Sequence, residues 1–222
     1  RLWDALLERF PHLMIDNCAS GGRRIDIETL RRSVPLWRSD AQCPANYRCE
    51  IAQMHNMSFA SWMPYSGTGS GREWGDMYRI RSAYAGALTT NYSFSERSQF
   101  GSPEQMLWIK KMSEEYLKVR PYFYEDFYPL TQISERTDIW SAAQYDRPDN
   151  GDGIVQVFRR EDSPYTDASF TLFAIQSDKT YVFCDADTDE VVKISGKKLI
   201  ENGFSVHIPE KRTAKLYFYK TV

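Results

Sequence analysis

Two short segments hold the residue types on which chemistry can be built. The first, Asn17-Cys18-Ala19-Ser20-Gly21-Gly22-Arg23-Arg24-Ile25-Asp26, sets a thiol and two adjacent glycines behind a short apolar run. Adjacent glycines let a backbone approach a ligand closely, and a helix start after them offers free N–H groups. A βα turn with no ligand has the same pattern, and both readings stand on the residues alone. A phosphate cradle does not fit: the G-x-x-x-x-G-K-S/T spacing is missing, and Arg23 and Arg24 have Asp26 or nearby carboxylates to pair with. The second segment, Trp37-Arg38-Ser39-Asp40, puts a carboxylate at the end of a strand-like run, three residues after an aromatic. Barrel enzymes place catalytic groups at such strand ends, and a partly apolar setting fits a carboxyl for general acid work. The alternative role for Asp40 is to cap the next helix.

Other signals fail on spacing. Asp185-Ala186-Asp187-Thr188-Asp189 imitates the start of a calcium loop, but its sixth position is Glu190 and its twelfth is Gly196, so it reads as a hairpin turn. Gly67-Thr68-Gly69-Ser70-Gly71-Arg72 is neither a dinucleotide fingerprint nor a nucleophile elbow, and reads as a mobile βα loop. His12, His55 and His207 are far apart, with no helical pair to hold a metal. His207 alternates with Val206 and Ile208 and is expected to face solvent. Cys18, Cys43, Cys49 and Cys184 are too scattered for a disulfide framework, and the C-x5-C spacing of Cys43 and Cys49 suits neither a zinc knuckle nor a redox motif.

The elements that must position these residues fall into two styles. Up to about residue 128, strand-like runs alternate with helical spacing. His12 to Ile15, Val34 to Trp37, Met57 to Met63 and Ala87 to Phe94 read as strands. Ile25 to Arg32, Cys43 to Met54 and Tyr78 to Tyr84 read as helices. The best helix has Ser102 as N-cap, Pro103 at its first position, Gln105 at its third, an apolar face of Met106, Ile109 and Tyr116, and Pro121 after its end. Four units at about 32 residues each match the pitch of about 31 in a complete (β/α)8 barrel, so half of such a barrel is expected. A four-stranded doubly wound sheet is the alternative. From Asp138 onward the period is two, in Phe170/Leu172/Ala174, Phe204/Val206/Ile208 and Ala214/Leu216/Phe218, which predicts a small antiparallel β-sandwich. The expected division is 1–130 for the α/β half-barrel and 131–222 for the all-β sandwich, packed together.

The whole chain has 222 residues, with 28 Lys+Arg against 30 Asp+Glu and a formal charge of −2. That balance argues against a nucleic-acid partner, and no apolar run is long enough to span a membrane. Fourteen tyrosines, twelve phenylalanines and six tryptophans suit β-rich packing or a surface that stacks against sugars. The chain opens at Arg1 inside an amphipathic run of Leu2, Trp3, Leu6, Leu7 and Phe10, as the middle of something longer would.

Taken together, Asn17 to Gly22, Arg24, Asp26 and Trp37-Arg38-Ser39-Asp40 resemble the α-galactosidases (melibiases) of glycoside hydrolase family 36. The resemblance continues through Trp62-Met63-Pro64-Tyr65-Ser66-Gly67-Thr68-Gly69, Gln144-Tyr145-Asp146-Arg147-Pro148 and Val157-Phe158-Arg159-Arg160. It implies a (β/α)8 barrel followed by a β-sandwich, with the four units here as barrel strands five to eight. It implies a retaining mechanism on terminal α-galactosides with no metal or organic cofactor, in which Asp40 is the acid/base and Cys18, Gly21 and Trp37 shape the sugar site. Three departures stand out: Arg23 replaces a third glycine, Ala41-Gln42-Cys43 replaces Asn-Thr-Asp, and the nucleophile's strand four would lie before Arg1. The chain alone is therefore expected to be inactive. The rival readings are an α-N-acetylgalactosaminidase, a raffinose-synthase-type transglycosylase, and a non-catalytic carbohydrate-binding or scaffolding remnant. The expected partners are an α-galactoside oligosaccharide and, because half a barrel leaves two strand edges open, a second copy of the chain in a homo-oligomer.

Overall fold

A computed structural model describes residues 1–44, 46–63, 65–71, 74–90 and 101–222. Its first part is a run of short elements: helices α1 (Leu2–Arg9), α2 (Ala19–Gly22) and α3 (Ile27–Leu30), a 3-10 turn at Asp40–Gln42, helix α4 (Cys49–Ala60), strand β1 (Gly67–Gly69), helix α5 (Met77–Ser82) and strand β2 (Ala87–Thr89). Backbone pairing links them in chain order. Asp16 bridges Val34 in parallel, the Gly67 N–H donates to the Pro35 carbonyl at 2.9 Å, and β1 pairs with β2 in parallel.

Several expected elements differ. The strands at His12–Ile15 and Val34–Trp37 shrink to the single Asp16–Val34 bridge. Pro35 has no N–H to give a ladder, and the next N–H, on Leu36, donates to the Asp16 side chain at 3.2 Å instead. Met57–Met63 is not a strand: α4 starts six residues later than the spacing suggests and runs to Ala60. Buried Cys49, Gln53 and Met57 lie four apart along one face, and a short apolar run cannot by itself separate strand from helix. Gly67–Gly69 is a buried strand, not a loop. The expected strand Ala87–Phe94 is observed as Ala87–Thr89, and 91–94 lie outside the described residues, as do Pro64 and Arg72.

The second part begins with helix α6 (Pro103–Val119), capped as expected: the Gln105 N–H donates to the Ser102 hydroxyl at 3.2 Å. Met112 and Val119 form its buried face, whereas Met106 is exposed. A 3-10 turn at Arg120–Tyr124 leads into strands β3 (Asp126–Pro129), β4 (Ser141–Arg147), β5 (Asp152–Arg159), β6 (Asp167–Phe170), β7 (Thr180–Asp185) and β8 (Val191–Ser195), helix α7 (Gly196–Asn202), and strands β9 (Phe204–His207) and β10 (Thr213–Thr221). Six form an antiparallel sheet in the order β3-β4-β5-β10-β7-β8, and β6 and β9 form a second antiparallel pair. The sheets of the described chain are thus mostly antiparallel, with helices against them.

Strands β4 and β5 are buried on both faces, and period-two geometry sorts their side chains. Ala142, Val155 and Val157 pack with Phe170, Phe183, Phe204 and Val206 between the two sheets, where the Phe183 and Phe204 rings stack at 4.4 Å. Ala143, Tyr145, Ile154 and Leu216 turn the other way and meet Met57, Ile80, Tyr84, Met112 and Val119 from α4, α5 and α6. One core therefore joins the first part to the second.

An ion pair cluster seals the same boundary. Arg81, 3% exposed in its side chain, gives all five guanidinium hydrogens to fixed acceptors: Glu115 at 2.9 and 2.7 Å, Asp187 at 3.0 and 2.6 Å, and the Ala214 carbonyl at 2.9 Å. Burial alone would raise the Asp187 pKa, but its hydrogen bonds and charge contact with Arg81 outweigh this and hold it below its ordinary value. Arg81→Ala is expected to cost about 3–5 kcal/mol, since it leaves the partly buried Glu115 carboxylate without its cation and Asp187 with Lys215 alone. A carboxyl depressed on folding stabilises above its unfolded pKa of about 3.9 and stops doing so as pH falls through its folded value. Urea denaturation should therefore show the full deficit of the variant at pH 7, shrinking only in stronger acid.

Candidate active site

The chain leaving the Asp16–Val34 bridge is pinned before it turns. Asn17 is buried; its N–H donates to the Val34 carbonyl at 2.8 Å and its side-chain amide to the Arg24 carbonyl at 2.9 Å. Cys18 follows, exposed, and then α2, which ends in Gly21 and Gly22 at φ +72° and +96°. Asp26 caps α3, accepting from the Thr29 N–H and hydroxyl, each at 2.9 Å. That satisfies its carboxylate locally, and among the described residues it makes no ion pair with Arg23 or Arg24.

The second segment meets the first at Asp40. Ser39 does the capping that was an alternative role for Asp40: its hydroxyl accepts from the Ala41 N–H at 3.1 Å and starts the 3-10 turn. The Asp40 carboxylate is left exposed and tethered at one oxygen. The Trp37 indole N–H donates to Oδ1 at 3.1 Å, and the Cys43 thiol approaches the same oxygen at 3.8 Å. The other oxygen, Oδ2, faces Gly21, where an added Cβ would lie 2.7 Å away. Trp37 in turn lies on β1, with ring atoms 2.3 and 2.5 Å from where a Cβ on Gly69 would be. Glycine is required at both contacts, at Gly21 also by its positive φ.

Asp40, Cys18, Gly21 and Trp37, all singled out from the sequence, thus gather at one end of the parallel row. Cys43 joins them and was not expected as a site residue. Its position three after Asp40, on the turn that Asp40 begins, was the available signal. Burial pushes the Cys43 thiol above its ordinary pKa, helped by the Asp40 carboxylate, and the Cys18 thiol is near enough to add to the shift. All four cysteines are free, with Cys43 exposed and Cys49 buried in α4. Among the described residues no group of three His, Cys, Asp or Glu is placed to hold a metal, and no helix is long and apolar enough to cross a membrane. His207 is exposed beside Asp167, at 2.8 Å, and Asp185–Glu190 forms the β7–β8 turn, closed by the Asp189 N–H on the Asp185 carbonyl at 2.9 Å.

Behind the site, Arg38 points away from Asp40 into the protein. It is 2% exposed; it donates to the Ser66 hydroxyl at 3.0 Å and to the Asn56 side-chain carbonyl, and lies 5.3 Å over the Phe59 ring. Burial pulls its guanidinium down to about 10.

A carboxyl held this way can exchange a proton at a defined atom. The donors on Oδ1 stabilise charge there and leave Oδ2 as the oxygen to carry the proton.

Comparison with known proteins places this geometry in context. No family model matches the chain. Over 51 residues it is 53% identical to an α-galactosidase of Escherichia coli, a match spanning 23% of this chain and 7% of that protein. Over its full length it is 23% identical to α-galactosidase 1 of Pediococcus pentosaceus, covering 30% of it. A variant of a family 36 α-galactosidase from Geobacillus stearothermophilus, solved in complex with raffinose, superposes with a TM-score of 0.74 at 18% identity, over all of this chain and 30% of that one. The chain resembles a fragment of the family 36 α-galactosidases, and spans about 30% of the length of those it matches throughout.

Gly21→Ala tests the contact on which the site turns. The positive φ costs about 1–2 kcal/mol for a residue with a Cβ, and the methyl must displace Oδ2. The expected outcome is a lowered urea midpoint together with an Asp40 rotated away from Trp37, seen as loss of the indole N–H contact in a crystal structure.

Proposed function

We propose that this chain is part of a retaining glycoside hydrolase that cleaves terminal α-galactosides, with Asp40 as its acid/base. The observation that carries the reading is the Asp40 carboxylate itself. It stands exposed at the end of the parallel row, tethered at Oδ1 by Trp37, with Oδ2 open beside a position that has no Cβ.

In this reading the parallel neighbours at Asp16, Val34–Pro35, Gly67–Gly69 and Ala87–Thr89 are strands five to eight of a (β/α)8 barrel. The half-barrel ends before β3 (Asp126–Pro129), a few residues ahead of the expected boundary at 130, because β3 pairs with β4 and belongs with the sandwich that runs on to 222. Chain order matching spatial order supports a barrel over a doubly wound sheet, in which the order reverses. Asp40 gives its Oδ2 proton to the departing glycosidic oxygen, then takes a proton from the water that attacks the glycosyl-enzyme. The nucleophile, a second carboxyl about 5–5.5 Å from the first, comes from a part of the enzyme outside this chain. Cys18, Gly21 and Trp37 lie around the sugar, and the raffinose held by the Geobacillus stearothermophilus neighbour supports an α-galactoside as substrate. Proton transfer and covalent catalysis by two carboxyls need no metal or organic cofactor. The chain's own open strand edges are covered by the rest of the barrel or, failing that, by a second copy in a homo-oligomer.

In the complete enzyme, Asp40→Asn is expected to lower kcat/KM about 10²–10⁴-fold on oligosaccharides such as raffinose. The loss should shrink on aryl α-galactosides whose leaving groups need no proton, and added azide should restore the second step. Equal losses across leaving groups would make Asp40 structural. The 222-residue chain alone is expected to show no turnover on either substrate class.

A further inference from the structure

The six-stranded sheet is wider than the β6–β9 pair packed on it. Beside β9, a cleft of about 440 Å³ opens over β7, β8 and β10, within the range of about 300–1,000 Å³ of small-molecule sites. None of the residues gathered around Asp40 lines it. Its floor is aromatic: Phe183 and Phe204, both buried, stack at 4.4 Å, and the Tyr217 ring meets Phe204 nearly perpendicular at 5.1 Å. Val192 and Ile194, on one side of β8, continue the apolar surface, and Val192 is 47% exposed.

Polar groups of both kinds stand around this floor with bonding capacity to spare. Tyr217 is half-buried, and among the described residues its hydroxyl makes no hydrogen bond. Burial and the nearby Asp185, Asp187 and Glu190 carboxylates push its pKa up, so it keeps its proton. Glu190 and Glu210, also at the wall, have no cation partner among the described residues. The Lys215 ammonium is already held, by Asp185 at 2.9 Å and Asp187 at 3.3 Å. The Ser205 hydroxyl at the rim is free on the same terms as Tyr217. An anion here would meet two unpaired carboxylates beside a lysine that is already neutralised. A cation would suit Glu190 and Glu210 but would give the Tyr217 and Ser205 hydrogens no acceptor. A hydroxyl donates and accepts, so a neutral polyhydroxylated ligand serves both sets, and the C–H face of a sugar ring covers the exposed aromatic surface.

We propose that this cleft is a second carbohydrate site, binding a neutral oligosaccharide with one sugar ring against Tyr217 and hydroxyls on Glu190 and Glu210. It is separate from the site at Asp40, and it stands on its own residues whether or not the catalytic reading holds.

The complete protein carrying Asp40→Asn, to slow turnover, should be titrated with raffinose by calorimetry. Two binding sites per chain are expected, and adding Tyr217→Ala should leave one. Should Tyr217→Ala not fold, the exposed pair Glu190→Gln and Glu210→Gln should weaken the second site about tenfold. With Asp40 intact, neither change should alter hydrolysis of aryl α-galactosides. A crystal soaked in raffinose should show a sugar ring against Tyr217, a readout that does not depend on Asp40. Raffinose binding that none of these substitutions weakens, a soaked crystal with no sugar in the cleft, or spermidine bound there in place of raffinose would overturn the proposal. Failure of the Asp40 reading would instead leave the Tyr217-dependent site in place.

Discussion

The Arg81 guanidinium is the most fully bonded of the contacts that join the two halves of the molecule among the described residues. Its acceptors come from three places: Glu115 in α6, Asp187 in the β7–β8 turn and the Ala214 backbone of β10. Tyr84 also donates to Glu115, and Lys215 reaches both Asp185 and Asp187, so the cluster carries two cations against three carboxylates. A buried cation is costly unless its hydrogens find acceptors, and this one has five. The arrangement leaves little freedom in how α5 sits on the sheet. The core of Ile80, Tyr84, Ile154 and Leu216 then closes around it.

That placement reaches the candidate site through backbone, not through charge. Helix α5 leads into β2, which pairs with β1, and β1 supplies the Gly69 surface on which Trp37 rests. Trp37 holds one oxygen of Asp40, and Gly21 leaves room for the other. Each step is a close approach at which a side chain is missing or fully satisfied. The Asp40 carboxylate is consequently held at one oxygen and exposed at the other. Arg38 faces the other way from the same segment and donates to Ser66 and Asn56 behind the site.

The readings that held from sequence were those set by neighbours in the chain. The N-cap of α6 follows from Ser102 and Gln105 three residues apart, and the β-sheet from period-two runs such as Phe204 and Val206. The misreadings had equally local causes. Gly67-Thr68-Gly69 has the composition of a loop, and only its pairing with Ala87–Thr89 makes it a strand. Met57 to Ala60 has the composition of a strand, and only continuity with the Cys49 face makes it helix.

The same division applies to chemistry. A glycine pair and an aromatic before an acid, patterns within ten residues or so, marked the two segments, and the resemblance to the family 36 α-galactosidases picked out Cys18, Gly21, Trp37 and Asp40 within them. Neither could say that Asp40 Oδ2 faces Gly21, that Cys43 shares Oδ1 with Trp37, or that the calcium-like Asp187 is the partner of Arg81. Those facts join residues up to 106 positions apart. Chain proximity carries no information about such pairs, since which donors and acceptors meet is decided by packing, where a buried charge must find its partner or the fold does not form.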